Sequence, residues 1–209
     1  MTLDSASLDK LCYTFRPLNR FMVGMWRLGL GRWVNAWPEV FGRIMVIRHV
    51  GRKTKLLRLT PVNFTFYQGE VYCTAGFGSG SDWYRNITQD PVVEVWLPDG
   101  WWIGIIDDVS DRPDRIDRLR QVLIASGIVA PIFGIYPATA TDDELQALTG
   151  EYRLLRVRLV EPRTGSGGPG DLAWLWPAAT MLLLLFFAFR RRRRRVPEGV
   201  DVSQIDDGS

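Results

Sequence analysis

Apolar and polar positions along this chain fall into three successive patterns. Between Leu8 and Trp26 apolar residues recur at steps of three and four: Leu8, Leu11, Cys12, Phe15, then Leu18, Phe21, Met22, Met25 and Trp26, with Lys10, Arg16, Arg20 and Arg27 among them. That spacing paints one apolar stripe on a helix. Pro17 suits a helix start and not an interior, so two pieces are expected, ended by Gly29 and Gly31. The segment is either a helix packed on the core or a lid or membrane-lying element, because basic residues mixed with Trp and Phe suit an interface.

From residue 43 the pattern becomes that of strands. Residues 43–50, 56–66, 70–75, 92–97, 101–107 and 152–160 are short runs rich in β-branched and aromatic side chains. The last of them alternates Leu155, Val157 and Leu159 with Arg156 and Arg158, as a strand with one wet face does. Tyr67-Gln68-Gly69 and Pro98-Asp99-Gly100 read as hairpin turns. Short helices are expected over residues 82–90, with Ser81 or Asp82 as N-cap, over residues 113–126, and after the capping sequence Thr141-Asp142-Asp143-Glu144. Six mostly antiparallel strands joined by hairpins favour a mainly β (α+β) fold, a small barrel or sandwich with flanking helices.

The third pattern is the run from Leu172 to Phe189, 18 residues without a charge, followed by six arginines, Arg190 to Arg195. As a helix it would be about 27 Å long, which barely matches a hydrocarbon core of about 30 Å. Trp174 and Trp176 suit one interface and the arginines the other. A C-terminal apolar membrane helix is therefore expected. If it spans, the arginines belong in the cytoplasm and the rest of the chain outside, yet no secretory signal precedes that part. A helix dipping in from the cytoplasmic face, bent at Pro177, resolves the conflict. The expectation is attachment to the cell membrane with the larger domain on the cytoplasmic face, spanning and monotopic forms both open. The expected organisation is an N-terminal helical segment (1–37), a β domain (38–160), a Gly/Pro-rich linker (161–171), the membrane helix with its arginines (172–195) and an acidic tail (196–209).

Charge changes this picture little. The net +3 comes from the arginine run: up to Phe189 there are 20 basic and 19 acidic residues once Arg190 to Arg195 are set aside. A near-neutral body gives no footprint for nucleic acid. The two cysteines, Cys12 and Cys73, have no CxxC spacing, and His49 is the only histidine. Metal sites built on histidine, Ser-His-Asp triads and Cys-His dyads are thereby left without material, and His49 reads as a strand residue.

Candidate chemistry concentrates in two segments. Arg48, Arg52, Lys53, Lys55 and Arg58 place five cations within eleven residues around a Gly-initiated turn, a site for a phosphate or polycarboxylate or simply a solvated turn. Thr60-Pro61 follows, and Pro inside a strand requires an edge or a bulge, where backbone is open to a ligand. The second segment, Thr74-Ala-Gly-Phe-Gly-Ser-Gly-Ser-Asp-Trp-Tyr-Arg-Asn86, joins a glycine-rich loop to a helix start.

Together, Gly51-Arg52-Lys53-Thr54 leading to Arg58, Thr60-Pro61-Val62-Asn63, Trp83-Tyr84-Arg85-Asn86 and Asp90-Pro91-Val92-Val93-Glu94-Val95 resemble the deazaflavin (F420)-dependent nitroreductase and quinone reductase family, from about residue 38 to 160. The resemblance implies a split β-barrel. By that likeness Arg52, Lys53, Thr54 and Arg58 hold the anionic tail of coenzyme F420, Thr60, Pro61 and Val62 line its ring, Ala75, Gly76, Phe77 and Gly78 fold over it, and Trp83 and Asn86 close the site. Two positions depart from the pattern: Thr54-Lys55 replaces a Ser-Gly pair, and Asp82 replaces a common proline. The implied activity is hydride transfer from reduced F420 to a quinone, nitroaromatic or similar electron-poor acceptor. Such a cofactor carries the hydride itself, so the protein supplies position, a dry pocket and a proton source. Tyr84 and Tyr136 are candidate proton donors, with Tyr67 and Ser79 behind them, and Trp101 and Trp102 candidate pocket walls. The alternative keeps the fold and changes the ligand to FMN, haem or a lipid. The resemblance also allows a homodimer.

Overall fold

The computed structural model describes residues 17–193; the expectations placed on Leu8 to Arg16, Cys12 included, on Arg194 and Arg195 and on the acidic tail lie outside them. The described residues fall into two units, one ending at Leu172 and one beginning at Ala173.

The first unit opens with helix α1 (residues 17–27), which starts at Pro17, and two single-turn helices, α2 (Gly31–Val34) and α3 (Pro38–Phe41). Six strands follow: β1 (Ile44–Val50), β2 (Leu57–Tyr67), β3 (Glu70–Ala75), β4 (Val92–Leu97), β5 (Gly100–Asp108) and β6 (Arg153–Pro162). They close into an antiparallel barrel in the order β1-β2-β3-β6-β5-β4. Helix α4 (Asp82–Gln89) links β3 to β4, and α5 (Arg115–Ile124), α6 (Val129–Ile132) and α7 (Asp142–Leu148) link β5 to β6. The β2–β3 turn holds both Gln68 (φ 52°) and Gly69 (φ 81°) in the left-handed region, as a type I′ hairpin turn requires. Thr141 caps α7 in a reciprocal pair with Glu144.

Alternation along the strands sorts the side chains. Met45, Ile47, Val62, Phe64, Val95 and Val157 fill the barrel. On the outer face, Tyr72 and Leu154 pack under α5 and α7 with Leu119, Val122, Leu123 and Leu145. A separate outer cluster joins Trp26 of α1 to Val46, Trp96 and Trp101.

Two expectations are corrected. Residues 161–171 are not a free linker. Strand β6 runs to Pro162, Arg163 N–H bonds the Trp101 carbonyl (2.7 Å), Gly168 presses on the Trp101 ring, and Gly170 and Leu172 donate to the Trp26 and Arg27 carbonyls (2.9 and 2.8 Å). An Arg27–Asp171 ion pair at 2.7 Å fastens the end. Trp101, expected as a pocket wall, is buried under this strap.

The second correction concerns the membrane helix. The second unit contains α8 (Leu175–Arg193), 19 residues of which the last four are arginines. The remaining 15 uncharged residues make about 22 Å, well short of a hydrocarbon core of about 30 Å. Among the described residues no helix is long and apolar enough to cross a membrane. The expected span is shortened because Leu172 is drawn into hydrogen bonding with α1 and the helix starts three residues later.

Candidate functional site

The turn between β1 and β2 is closed by Gly51 N–H to the Leu56 carbonyl and Lys55 N–H to the Gly51 carbonyl, both at 2.8 Å. Lys55 takes φ 56°, the left-handed conformation in which glycine is unstrained. Of the five cations, two have partners: Arg48 pairs with Glu94 and Arg52 with Asp82, each at 2.9 Å. Lys53, Lys55 and Arg58 are exposed and have no carboxylate partner among the described residues; Thr54 beside them is exposed too.

Strand β2 borders this turn with an open backbone edge. It pairs with β1 from Leu57 to Asn63, but with β3 only from Phe64 to Tyr67. Between Leu57 and Asn63 it has a strand neighbour on one side alone, and Pro61, with no N–H for a ladder, lies in that stretch. Thr60 and Val62 sit opposite Ile47 and Met45 on the inner face, whereas Pro61 sits opposite Val46 on the outer face. The three residues expected to line one ring thus divide between the two faces and share the backbone between them.

Helix α4 is docked onto the turn by Arg52. Its backbone N–H and Nη1 both donate to Asn86 Oδ1 at 3.1 Å, Nη1 also reaches the Asp82 carbonyl at 3.3 Å, and Nη2 donates to Asp82 Oδ1 at 2.9 Å. The guanidinium is therefore committed to the fold, with Asp82, the residue in the place of proline, as its counter-ion. Asn86 Nδ2 lies 3.3 Å from His49 Nδ1, and His49 Nε2 lies 3.0 Å from Thr60 Oγ1. Arg52, Asn86, His49 and Thr60 form one chain running from the turn through α4 and β1 to the open edge of β2. His49 is buried, and burial pushes its pKa below the ordinary value, so it is neutral at pH 7.

A family model for F420H(2)-dependent quinone reductase matches residues 18–128, just over half of the chain. The chain belongs to that family. The match takes in α1 and reaches α5, so it begins and ends earlier than the stretch marked out by the motifs. Among solved structures the chain is similar to an F420 reductase (18% identity, covering 62% of this chain and 94% of that one, TM-score 0.40). It is similar also to the conserved hypothetical protein Rv2991 from Mycobacterium tuberculosis (17%, 66% and 90%, 0.42). A third is the heme storage protein HutZ from Vibrio cholerae (12%, 59% and 83%, 0.39). No curated protein matches the chain.

The residues of this F420H(2)-dependent quinone reductase family member fit an anionic, flat cofactor. Two cations without a carboxylate partner, Lys53 and Lys55, stand on the turn and a third, Arg58, at the adjoining start of β2, and an open strand edge lies next to them. The loop after β3 is compact: Ala75 is buried, a Cβ at Gly76 would stand 3.6 Å from the Tyr152 ring, and Phe77 leads into a single 3₁₀ turn, Gly78–Gly80. Gly78 has φ 53°, and a Cβ there would stand 2.2 Å from the Glu151 carbonyl oxygen. Trp83 is half-buried against the barrel core.

Neither tyrosine singled out as a proton donor belongs to the Arg52–Thr60 chain. Tyr84 donates its hydroxyl proton to Asp108 Oδ2 (2.5 Å), and burial together with that carboxylate raises its pKa. A cavity of about 310 Å³ adjoins Asp108, lined by Ile87 and Thr88 of α4 with Pro91, Ile106, Asp107 and Leu155. Tyr136 is exposed in the segment after α6, whose Pro137 and Ala140 carbonyls are held by Arg120. Tyr67 meets Tyr72 edge to face beside Arg118 in the outer cluster, and Ser79 offers its carbonyl to Arg85 (2.7 Å). His49 carries no recognisable motif in the sequence; only the register of β1 with β2, which sets Ile47 against Thr60, brings it to Thr60.

Proposed function

We propose that this oxidoreductase holds coenzyme F420 with its acidic tail on Lys53, Lys55 and Arg58 and its ring at the open edge of β2, around Thr60 to Val62, and delivers its hydride to a lipid-soluble quinone. The observation that carries this reading is the juxtaposition of three unpaired cations with a strand edge that has backbone free for a planar ligand. When bound, the cofactor supplies the hydride; the chain supplies everything else. The cations neutralise the tail, Thr54 offers a hydroxyl beside them, and Arg52, through Asp82 and Asn86, keeps α4 docked on the turn. Nitroaromatics are acceptors of the same electron-poor class.

We further propose that the enzyme works at a membrane surface on the cytoplasmic side. Leu18 and Phe21 on α1, with Trp33 and Trp37 just after it, are exposed, and Arg20, Arg32 and Arg43 lie among them without carboxylate partners among the described residues. Helix α8 carries exposed apolar residues from Met181 to Phe189 and ends in arginines. Such elements suit an interfacial, monotopic attachment to anionic lipid.

The test is oxidation of reduced F420 by menaquinone and by a nitroaromatic, with wild type beside Lys53→Ala and Arg58→Ala. Turnover with menaquinone that falls in both variants through KM for F420 supports the assignment. Absence of turnover with either acceptor removes it. Sedimentation with anionic vesicles tests the second part: the full chain should pellet, and should stay in solution with neutral vesicles. Equal partition with both refutes attachment.

A further inference from the structure

The hydrogen bonds around His49 fix where its proton is. Arg52 has only donors, and two of them, its backbone N–H and Nη1, converge on Asn86 Oδ1 at 3.1 Å. That identifies the oxygen of the Asn86 carboxamide, so the atom facing His49 Nδ1 at 3.3 Å is the NH₂ group, a donor. Nδ1 of His49 must accept. In a neutral imidazole the proton then resides on Nε2, which faces Thr60 Oγ1 at 3.0 Å and donates to it. The Thr60 hydroxyl thus has one lone pair occupied by a donor, and no other hydrogen bond of that hydroxyl exists among the described residues. Its own proton remains to be given.

We propose that Thr60 is a committed hydrogen-bond donor to an acceptor atom, a carbonyl oxygen or unprotonated ring nitrogen, of the ligand at the open edge of β2, and that His49 is the positioning residue that fixes it in that role. This rests on the reading that the F420 ring lies at that edge. Without His49 the threonine hydroxyl rotates freely and offers donor and acceptor alike. With His49 a ligand that presents an N–H at this point meets a repelling hydroxyl proton, so the pair selects ligands as well as binding them. Arg52 acts at the far end of the same chain, setting the orientation of Asn86. The charged groups nearest His49 are Arg58, opposite it on β2, and Arg52, which reaches it through Asn86, while on the outer face Glu94 of β4 pairs with both Arg48 of β1 and Arg163. Burial disfavours the imidazolium, a hydrogen bond to the Val50 backbone works against it, and Arg58 adds to the burial effect, so the net direction is downward.

Because the chain has a single histidine, its imidazole nitrogen signals in the ¹⁵N spectrum of the full-length protein belong to one residue. The spectrum of the cofactor-free protein at about pH 8 should show one neutral imidazole protonated on Nε2, and any titration on acidification should lie below the ordinary histidine value. A proton on Nδ1, or an imidazolium titrating near its ordinary pKa, overturns the proposal. The ligand half is read by F420 affinity. Thr60→Val should weaken binding roughly tenfold, and His49→Leu by about as much, with no further loss in the double variant. His49→Gln, whose amide can accept from Asn86 and donate to Thr60, should return to within about threefold of wild type. Additive losses in the double variant, or wild-type affinity in Thr60→Val, overturn it. A wild-type protein that does not bind F420 overturns the cofactor assignment itself, and the two failures are distinguishable because the nitrogen spectrum is read on the free protein.

Discussion

Replacing Arg52 separates two roles that a basic residue on this turn can have. If it belongs to the fold, Arg52→Ala destabilises the cofactor-free protein; if it grips an anion, only ligand binding changes. The side chain makes three hydrogen bonds to α4: to Asn86 Oδ1, the Asp82 carbonyl and Asp82 Oδ1. Asp82 is 82% exposed, so that ion pair contributes at most about 0.5–1 kcal/mol. The bond to buried Asn86 contributes about 1–1.5 kcal/mol, and the long contact to the Asp82 carbonyl little more. The sum is about 2 kcal/mol, which for a chain of this size lowers Tm by roughly 4–8 °C. Arg52→Lys, with one point donor in place of a fork, should lose about half of that, and Asp82→Ala no more than the pair itself. Differential scanning calorimetry on the cofactor-free proteins measures all three. A Tm for Arg52→Ala within about 1 °C of wild type, with F420 binding weakened tenfold or more, would refute the reasoning.

Three further outcomes follow from the geometry. Gly78→Ala forces a Cβ to 2.2 Å from the Glu151 carbonyl at φ 53°, and should cost about 2–4 kcal/mol in chemical denaturation; an unchanged midpoint would mean that the loop does not pack on Glu151. Burial pushes the Cys73 thiol up to about 12, so in a Cys12→Ser background a thiol reagent at about pH 8 should label the native protein only as fast as it unfolds. Hydrogen bonds from Arg112 and Arg118 hold the Asp114 carboxyl at about 2 against an ordinary 3.8. A depressed folded-state pKa gives stability that is complete above the unfolded value and lost as pH falls from about 4 to about 2. The Tm difference between wild type and Asp114→Asn at about pH 6 should therefore shrink as pH falls toward about 2, and one that persists there unchanged would contradict this.

Much of the fold was legible in the sequence because it is local. The Gln68-Gly69 turn, the Thr141–Glu144 cap and the period-two strands each follow from neighbours a few residues apart, and all appear within one or two residues of where they are expected. The cation turn was legible for the same reason. Its internal division was not: Arg52 resembles Lys53 and Arg58 in sequence, and only the arrival of α4 from thirty residues downstream commits it to Asp82 and Asn86. His49 passed for an ordinary strand residue because its partners lie on β2 and α4. The 161–171 segment reads as a linker by composition, yet it packs on the Trp101 ring through Gly168, a contact that composition does not encode. The tail was overestimated as a span because hydropathy counts Leu172 to Trp174 with the helix, whereas the Arg27 carbonyl captures Leu172 and the helix starts at Leu175.

The central claim is that the 51–62 segment is a deazaflavin site whose anion grip is Lys53, Lys55 and Arg58. Titrating the full-length protein with F420 and with FMN, followed by intrinsic tryptophan fluorescence at low and high salt, tests it most directly. The account predicts saturable F420 binding that is tighter than FMN, weakens with salt, and falls about tenfold or more in the Lys53→Ala/Arg58→Ala double variant with a flatter salt dependence. Tight FMN binding with no response to F420, or F420 affinity indifferent to both substitutions, would contradict it.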